Sequence, residues 1–190
     1  MKLLVIDNYD SFTYNLIHLI EKVSSINIDI VKNDQIKLDQ INIYDKILLS
    51  PGPGLPSKAG ILPQVINHFY KTKSIFGVCL GHQAIGEAFN SPLKNVSPVW
   101  HGVASNINVI SKDKIFNNCP KKFLAGRYHS WLINELTIHP NLIVTAIDDQ
   151  NNIMAIKHKF YNVRGVQFHP ESILSEYGET IIKNWLSDNE

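Results

Sequence analysis

The sequence predicts one α/β domain: an open, mostly parallel twisted sheet flanked by helices, with mixed or antiparallel strands added in the C-terminal half. Four short apolar runs lie within the first 90 residues, and helical patterns follow the first, third and fourth of them. After Phe89, short β-type runs separated by polar turns replace that alternation. A length of 190 residues suits a single core, so we expect one domain over residues 1–190.

The first half of the chain carries the parallel part of this prediction. Leu3 to Ile6 is a continuous apolar run, typical of a strand buried on both faces. A polar loop from Asp7 to Ser11 follows, and Ser11 is the predicted N-cap of the first helix. Further strands are predicted at residues 28–31, 46–49 and 74–76. The helices between them have apolar residues at helical spacing: Phe12, Leu16, Leu19, Ile20 and Val23, then Ile61, Leu62, Val65, Ile66, Phe69 and Tyr70, then Ala84, Ile85, Ala88 and Phe89.

The second half predicts strands at residues 105–110, 142–147, 153–156 and 164–168 and ends in an amphipathic helix marked by Ile181, Ile182, Trp185 and Leu186. Ligands of open α/β sheets bind beyond the carboxyl ends of the strands. We therefore expect the Asp7 to Ser11 loop, the Pro51 to Pro56 loop and the turn at Cys79 to meet at one edge of the sheet.

Composition disfavours several classes of function. The chain has 18 basic and 17 acidic residues, a formal charge of +1 and no long charged run, so neither nucleic acid nor a membrane surface is an expected partner. No apolar run suits a signal peptide or a membrane span, which predicts a cytoplasmic protein. The two cysteines, Cys79 and Cys119, make no disulfide framework, and no Cys or His pair has a persuasive zinc-site spacing.

The segment Gly-Val-Cys-Leu-Gly-His-Gln at residues 77–83 predicts a strand, a sharp turn and a helix, with Cys79 on the turn. It is the thiol counterpart of the Gly-x-Ser-x-Gly nucleophile elbow, in which the glycines permit a strained turn. The positive end of the helix would favour the thiolate, which is the attacking species. For a lone cysteine, a small buried residue in a βα turn is the commoner outcome, so the role of Cys79 depends on partners elsewhere.

The segment Gly-Val-Gln-Phe-His-Pro-Glu-Ser at residues 165–172 supplies a candidate base. In an extended chain, His169 and Glu171 would share one face while Val166 and Phe168 pack into the core. A carboxylate beside an imidazole fixes the tautomer and supports the imidazolium ion. By itself this motif would more often be a surface turn, but together with the cysteine elbow it favours a nucleophile, a base and an orienting acid.

An attacked carbonyl also requires backbone N–H donors for the developing oxyanion. Leu80, directly after the cysteine, is one candidate. The Pro51-Gly52-Pro53-Gly54 loop offers a second, at Gly52 or Gly54, because proline has no N–H. A turn without a ligand is the alternative interpretation, and phosphate binding is disfavoured because no Gly-Lys-Ser/Thr follows. Among the other histidines, His82 and His129 are ambiguous, and the rest are predicted to be structural or solvated: His18, His68, His101, His139 and His158.

Three motifs together resemble the signatures of class I (triad-type) glutamine amidotransferases: Leu-Ser-Pro-Gly-Pro-Gly at residues 49–54 and the segments at 77–83 and 165–172. The match spans nearly the whole chain. The segment Asp-Asn-Tyr-Asp-Ser-Phe-Thr-Tyr-Asn at residues 7–15 and Arg-Tyr-His-Ser at 127–130 are similar to the glutaminase subunits of anthranilate synthase and aminodeoxychorismate synthase.

The resemblance implies roles for individual residues. Cys79 would be the nucleophile, His169 the base and Glu171 the acid that orients the base. Gly52 and Leu80 would form the oxyanion hole. Positions that would hold the glutamine substrate are Gly52, Pro53, Gly54, Gln83 and the main chain of Ser130 and Trp131.

The resemblance also implies a reaction and a partner. L-Glutamine would be hydrolysed to glutamate and ammonia, and the ammonia would pass to a chorismate-binding synthase subunit, component I. The two would form a heterodimer or a higher hetero-oligomer that makes anthranilate or 4-amino-4-deoxychorismate, for tryptophan or folate. Magnesium would act on the partner, and this chain would need no cofactor of its own.

Some positions depart from the usual family pattern. Asn90-Ser91 replaces a glycine pair, Val103 replaces a lysine, and Trp131 replaces a leucine. Two other functions stay open at this point. One is a stand-alone cysteine hydrolase of glutamyl peptides or other amides. The other is a flavodoxin-like binding module whose Asp7 to Ser11 loop holds phosphate or flavin, which would leave the cysteine, histidine and glutamate as coincidences.

Overall fold

The computed structural model describes residues 1–188, the side chain of Pro98 excepted, and in this part of the chain nine strands form one sheet. The strands are β1 (Lys2–Asp7), β2 (Asn27–Lys32), β3 (Lys46–Leu49), β4 (Ser74–Val78), β5 (Leu93–Val109), β6 (Lys122–Ile133), β7 (Leu142–Ile147), β8 (Ile153–His158) and β9 (Val163–Val166). The α-helices are α1 (Thr13–Val23), α2 (Leu62–Phe69), α3 (Leu80–Ala88) and α4 (Gly178–Ser187). Short 3-10 helices lie at Leu38–Ile43, Pro56–Lys58, Lys114–Phe116 and Glu135–Thr137.

The strand order is β2-β1-β3-β4-β9-β8-β7-β5-β6. The first five strands of that order pair in parallel, and the remaining pairs, from β9-β8 to β5-β6, are antiparallel. This arrangement confirms the predicted open α/β sheet with parallel strands and antiparallel additions, although parallel and antiparallel pairs are equal in number among the described strands. The parallel half carries the turns at which a site was expected.

Burial on both faces explains the continuous apolar runs of the central strands. Leu3 and Val5 of β1 belong to a core cluster with residues of α1 and α4. Leu4 and Ile6 belong to a second cluster with residues of α2 and α3. Alternate side chains of one strand thus fill two cores, and each position between Leu3 and Ile6 must be apolar.

The start of α1 differs from the prediction. Ser11 is not the N-cap, because α1 begins at Thr13 and Phe12 occupies the capping position without a side-chain bond. Two carboxylates instead fix the residues at the start of the helix without capping it. Asp10 Oδ1 accepts the N–H of Phe12 at 2.8 Å, and Asp7 Oδ1 accepts the hydroxyl of Thr13 at 3.0 Å.

The antiparallel half is more extensive than predicted. Strand β5 begins at Leu93 rather than at residue 105, and β6 was not predicted at all. Arg127 and His129 of β6 are buried, so the inward positions of this strand are not uniformly apolar. The sequence therefore lacks the apolar and polar alternation by which a strand is predicted. At the other end of the sheet, β9 stops at Val166, and residues 167 and 168 form a bend.

The predicted meeting of loops at one sheet edge is confirmed. The Asn8 N–H donates to Ser50 Oγ, and its side-chain amide donates to the Ser50 carbonyl, both at 2.9 Å. A Cβ built on Gly52 would lie 2.6 Å from Asn8 Cβ and 2.6 Å from Leu80 Cδ2. Gly52 is therefore wedged between the loop after β1 and the start of α3. No helix in the described part of the chain combines the length and apolar character that crossing a membrane requires.

Candidate active site

Cys79 occupies a turn between β4 and α3 in a backbone conformation that residues other than glycine rarely adopt. Its φ is +51° and its ψ is −100°. Such a conformation costs roughly 1–3 kcal/mol in a residue other than glycine and persists only where the surroundings enforce it. Here the Cys79 N–H donates to Val166 O at 2.9 Å, and its carbonyl accepts the N–H of Gln83 at 3.0 Å. The turn is thus fastened to β9 on one side and to α3 on the other.

Two glycines allow this turn to pack closely. A Cβ on Gly77 would lie 2.4 Å from the backbone of Gly81, and a Cβ on Gly81 would lie 2.3 Å from the carbonyl oxygen of Leu49. Neither approach is tolerated by backbone atoms, so both positions require glycine. The result is a buried cysteine at the first turn of a helix, as an elbow requires.

His169 and Glu171 lie side by side, with His169 Nδ1 2.6 Å from Glu171 Oε1. Their side chains are 2% and 0% exposed. The expectation that an extended chain aligns them is wrong, because they lie on a turn closed by Ser172 N–H and the His169 carbonyl at 3.1 Å. The His169 N–H also donates to the Gly126 carbonyl at 2.9 Å, which anchors this turn to β6.

The surroundings of His169 favour its protonated form. Burial is the largest single effect and lowers the pKa of His169, but the charge of Glu171, the adjacent Cys79 side chain and the hydrogen bond with Glu171 together raise it well above its ordinary value. A group that accepts a proton readily beside a thiol is suited to general acid–base chemistry.

Two aromatic rings cover His169. The ring of Phe12 lies 5.2 Å from the imidazole and that of Tyr128 lies 4.9 Å away, both in edge-on contacts. The Tyr128 hydroxyl is 3.2 Å from Ser172 Oγ, on the turn that carries the histidine and glutamate. These contacts restrict the imidazole and shield it from solvent, and no local pattern in the sequence predicted them.

A cavity of about 210 Å³ joins the components of the site, and its lining is formed by Asp10, Phe12, Pro51, Gly52, Pro53, Cys79, His101, Tyr128 and His169. His101 was predicted to be structural or solvated, but β5 brings it to the cavity wall. A larger cavity of about 650 Å³ lies at the amino ends of β3 and β4. Its buried Lys46 already donates to the carbonyls of Trp185 and Asp188, so it offers no comparable chemistry.

A chain of amide groups lies on the other side of the cysteine. The Gln83 side-chain nitrogen donates to the Trp131 carbonyl at 2.9 Å and to Gln167 Oε1 at 3.1 Å. The Gln167 side-chain nitrogen lies 3.5 Å from Cys79 Sγ and donates to it. The structure thus brings Gln83 to the main chain of Trp131, with Ser130 beside it on β6. Gln167 was missed, although it lies within the motif at residues 165–172.

The Pro51 to Pro56 loop brings its remaining candidates to the mouth of the site. Pro53 and Gly54 are exposed, and Gly54 has φ +78°, a region that favours glycine. Leu80 is buried against Gly52. The two candidates for the oxyanion hole are therefore neighbours, as their proposed role requires.

The Asp7 to Ser11 loop is not arranged to bind phosphate. Asp7 Oδ1 accepts the N–H groups of Tyr9 and Asp10 at 2.9 and 3.3 Å. These backbone donors are the kind that would otherwise face a phosphate group. A carboxylate of the chain itself thus fills the place of the anion, which disfavours the flavodoxin-like alternative.

Buried polar groups behind the cavity hold β6 in place. Arg127 Nη1 lies 2.7 Å from Asp148 Oδ2, and both side chains are almost fully buried. Arg127 Nε donates to His129 Nε2 at 3.1 Å. Burial lowers the pKa of His129 and of His82 to about 3. Both rings are therefore neutral near neutral pH, which gives these two ambiguous histidines a packing role.

The unusual Asn90-Ser91 pair ends α3 in a Schellman motif. Asn90 has φ +56°, its N–H donates to the Glu87 carbonyl, and the Ser91 N–H donates to the Gly86 carbonyl, each at 2.9 Å. Asparagine tolerates this left-handed conformation better than most residues, which explains how it replaces glycine. Val103 lies exposed on β5 and is not among the residues that line the cavity.

Comparisons with known proteins show which family and fold this chain shares. The family model described as Glutamine amidotransferase class-I matches residues 4–189. Anthranilate synthase component 2 of Saccharolobus solfataricus is 42% identical over 192 residues, covering 97% of each chain. Aminodeoxychorismate/anthranilate synthase component 2 of Bacillus subtilis is 39% identical, covering 97% of this chain and 95% of the relative. A crystal structure from Thermoplasma acidophilum, described as that of a GMP synthase subunit, has a TM-score of 0.87 at 22% identity, covering 98% and 92% of the two chains, and supports the fold.

Proposed function

This chain belongs to the class-I glutamine amidotransferase family, and from that premise we propose that it hydrolyses L-glutamine with Cys79, His169 and Glu171 as its catalytic triad. One observation carries the proposal. The strained cysteine turn lines the same cavity as an imidazole whose Nδ1 lies 2.6 Å from a buried carboxylate. The side chains proposed as nucleophile, base and orienting acid thus come from two distant parts of the chain.

In the proposed reaction, the Cys79 thiolate attacks the side-chain amide carbon of glutamine. The N–H groups of Gly52 and Leu80 stabilise the oxyanion of the tetrahedral intermediate. His169 gives a proton to the departing nitrogen, which leaves as ammonia. The glutamyl group stays on the cysteine as a thioester. His169 then takes a proton from water, the resulting hydroxide attacks the thioester, and glutamate leaves while the thiolate is restored. Glu171 supports the imidazolium at each stage.

We propose that the α-amino and α-carboxylate groups of glutamine bind along the rim formed by the loop after β3, by α3 and by β6. The contributing positions are Gly52, Pro53, Gly54, Gln83, Ser130 and Trp131. The hydrogen bond from Gln83 to the Trp131 carbonyl supports this placement, since it joins two of these positions next to the nucleophile.

The proposed partner is a chorismate-binding synthase subunit, component I, in a heterodimer or a higher hetero-oligomer located in the cytoplasm. The relatives from Saccharolobus solfataricus and Bacillus subtilis both bear the name component 2, which implies a first component. Ammonia that escaped to solvent would be protonated and lose its nucleophilicity, so it must pass directly to that subunit. There, with magnesium on the partner and no cofactor in this chain, it would be used to make anthranilate, 4-amino-4-deoxychorismate or both.

The test is Cys79→Ser in complex with the partner subunit. The variant is expected to lose synthesis from glutamine while keeping synthesis from added ammonium salt, because only the ammonia supply requires the thiol. Cys119→Ser is the matched control: burial raises the pKa of the Cys119 thiol to about 11, and the residue lies outside the cavity. If Cys79→Ser still used glutamine, the assignment of the nucleophile would be wrong. Assays with each candidate partner would identify the product.

A further inference from the structure

We propose that Gln167 is a further catalytic residue of this site, where its side-chain amide donates a hydrogen bond to the reacting sulfur and ties that sulfur to the glutamine-binding rim. Its role in turnover rests on the proposed glutaminase function. The contact itself does not, because the Gln167 side-chain nitrogen lies 3.5 Å from Cys79 Sγ whatever the substrate.

The position of Gln167 is fixed by the fold. The residue is fully buried directly after β9, two positions before His169. Its N–H donates to the Met154 carbonyl at 2.9 Å, which holds the bend to β8. The amide therefore approaches the sulfur from β9, the same side on which Val166 holds the Cys79 N–H.

Neighbouring groups also determine which end of the Gln167 amide faces the sulfur. The Trp131 carbonyl can only accept, so the Gln83 side chain must present its NH₂ group to it, at 2.9 Å. The same NH₂ group lies 3.1 Å from Gln167, which must therefore present its oxygen to Gln83. The Gln167 NH₂ group is left to point at Cys79 Sγ.

A hydrogen-bond donor at this position acts mainly on the ionised form of Cys79, the thiolate. A hydrogen bond to an ionised acceptor is stronger than one to a neutral acceptor, so the amide stabilises the thiolate more than the thiol. The sulfur is almost buried, where such bonds are little weakened by water. The same donor favours departure of the thiolate when the thioester is hydrolysed. Through Gln83, the proposed substrate rim and the nucleophile share one hydrogen-bonded chain.

The test measures alkylation of Cys79 by iodoacetamide across a range of pH in the full chain, with the modified peptide quantified by mass spectrometry. Gln167→Met keeps a similar volume and removes the donor, whereas Gln167→Glu keeps the shape and places an acceptor against the sulfur. At neutral pH we expect alkylation to slow roughly ten- to hundredfold, and its pH midpoint to rise by about one unit or more, with Glu above Met. Gln64→Glu, the same change on the exposed face of α2, is the matched control and should leave the midpoint unchanged.

If Gln167 served only to pack the fold, its replacement would lower stability. The pH midpoint of alkylation would then not rise in the order Met below Glu. Circular dichroism and thermal unfolding identify the variants that fold. If Gln167→Glu does not fold, the midpoint of Gln167→Met decides the question. An unchanged midpoint in a folded Gln167→Met protein would overturn the inference, even if the Cys79→Ser test upheld the glutaminase. Conversely, the ordered midpoints would support the donor role even if the chain with its partner failed to use glutamine.

Discussion

Acidification is expected to destabilise this fold through His82, whose ring is buried between α3 and β9. Burial lowers the pKa of His82 to about 3, and the neighbouring backbone of Gly165 offsets only part of that effect. In the unfolded chain the ordinary pKa of about 6.5 applies. Below that pH the unfolded state binds a proton that the native state excludes, so stability falls as pH falls. Integrated from about pH 7 to about pH 5, this single group costs about 2 kcal/mol.

Urea unfolding at both pH values, with and without His82→Gln, measures this contribution. Gln does not titrate, and any packing cost of the substitution is present at both pH values and cancels. The variant should therefore lose about 2 kcal/mol less than the unchanged protein on acidification. His169 has a raised pKa and contributes in the opposite direction, but equally in both proteins. His68→Gln, on an exposed position of α2, is the control and should behave like the unchanged protein.

An equal acid-induced loss in the His82→Gln variant and the unchanged protein would refute this reasoning. It would mean that the native state accommodates the proton at little cost, for example because water reaches the ring. Because the comparison is a difference of differences, a variant that is simply less stable at both pH values would not produce the expected result.

Three other perturbations have distinct expected outcomes. Glu171→Gln should lower glutamine-dependent turnover by about 100-fold or more and spare ammonium-dependent synthesis by the partner complex, because an unsupported imidazole is a poorer acid–base catalyst; equal loss of both activities would contradict this. Asp148→Asn leaves the buried Arg127 charge unpaired and should cost about 3–5 kcal/mol in urea unfolding, whereas exposed Asp149→Asn should change little. Equal effects would argue against a buried ion pair. Asn90→Gly, at φ +56°, should raise Tm by about 2 °C, and a lower Tm would show that the asparagine side chain is needed.

Much of this architecture could be predicted because it follows from local rules. A strand buried on both faces must be apolar at every position, so the run from Leu3 to Ile6 predicted β1 as a strand covered on both faces. The turn at Cys79 is likewise a local matter, since Gly77 and Gly81 are required by backbone contacts within a few residues or with the adjacent strand. Parallel strands then place their following loops at one edge, which is why the loop containing Gly52 was expected beside the cysteine.

Other predictions failed where buried polar groups form hydrogen bonds or ion pairs with residues far away in the sequence. Arg127 is tolerated inside β6 only because Asp148, 21 residues later, pairs with it, and no window of the sequence contains that fact. The same strand hides its alternation and brings Tyr128 over the imidazole. His101 reaches the cavity because β5 is much longer than its apolar pattern indicated.

The sequence by itself determined the succession of strands and helices in the first half of the chain, the cysteine turn and the residue types of a nucleophile, a base and an acid. Only the tertiary structure decided how they meet. A turn, not a strand, aligns His169 with Glu171. The packing of β9 beside α3 brings Gln167 to the Gln83 side chain and to the Cys79 sulfur, 84 and 88 residues apart in the sequence. The physical reason is that periodicity reports burial and local geometry. Hydrogen bonds between distant residues depend instead on strand register and side-chain rotamers, which are set only when helices pack on the two faces of the sheet.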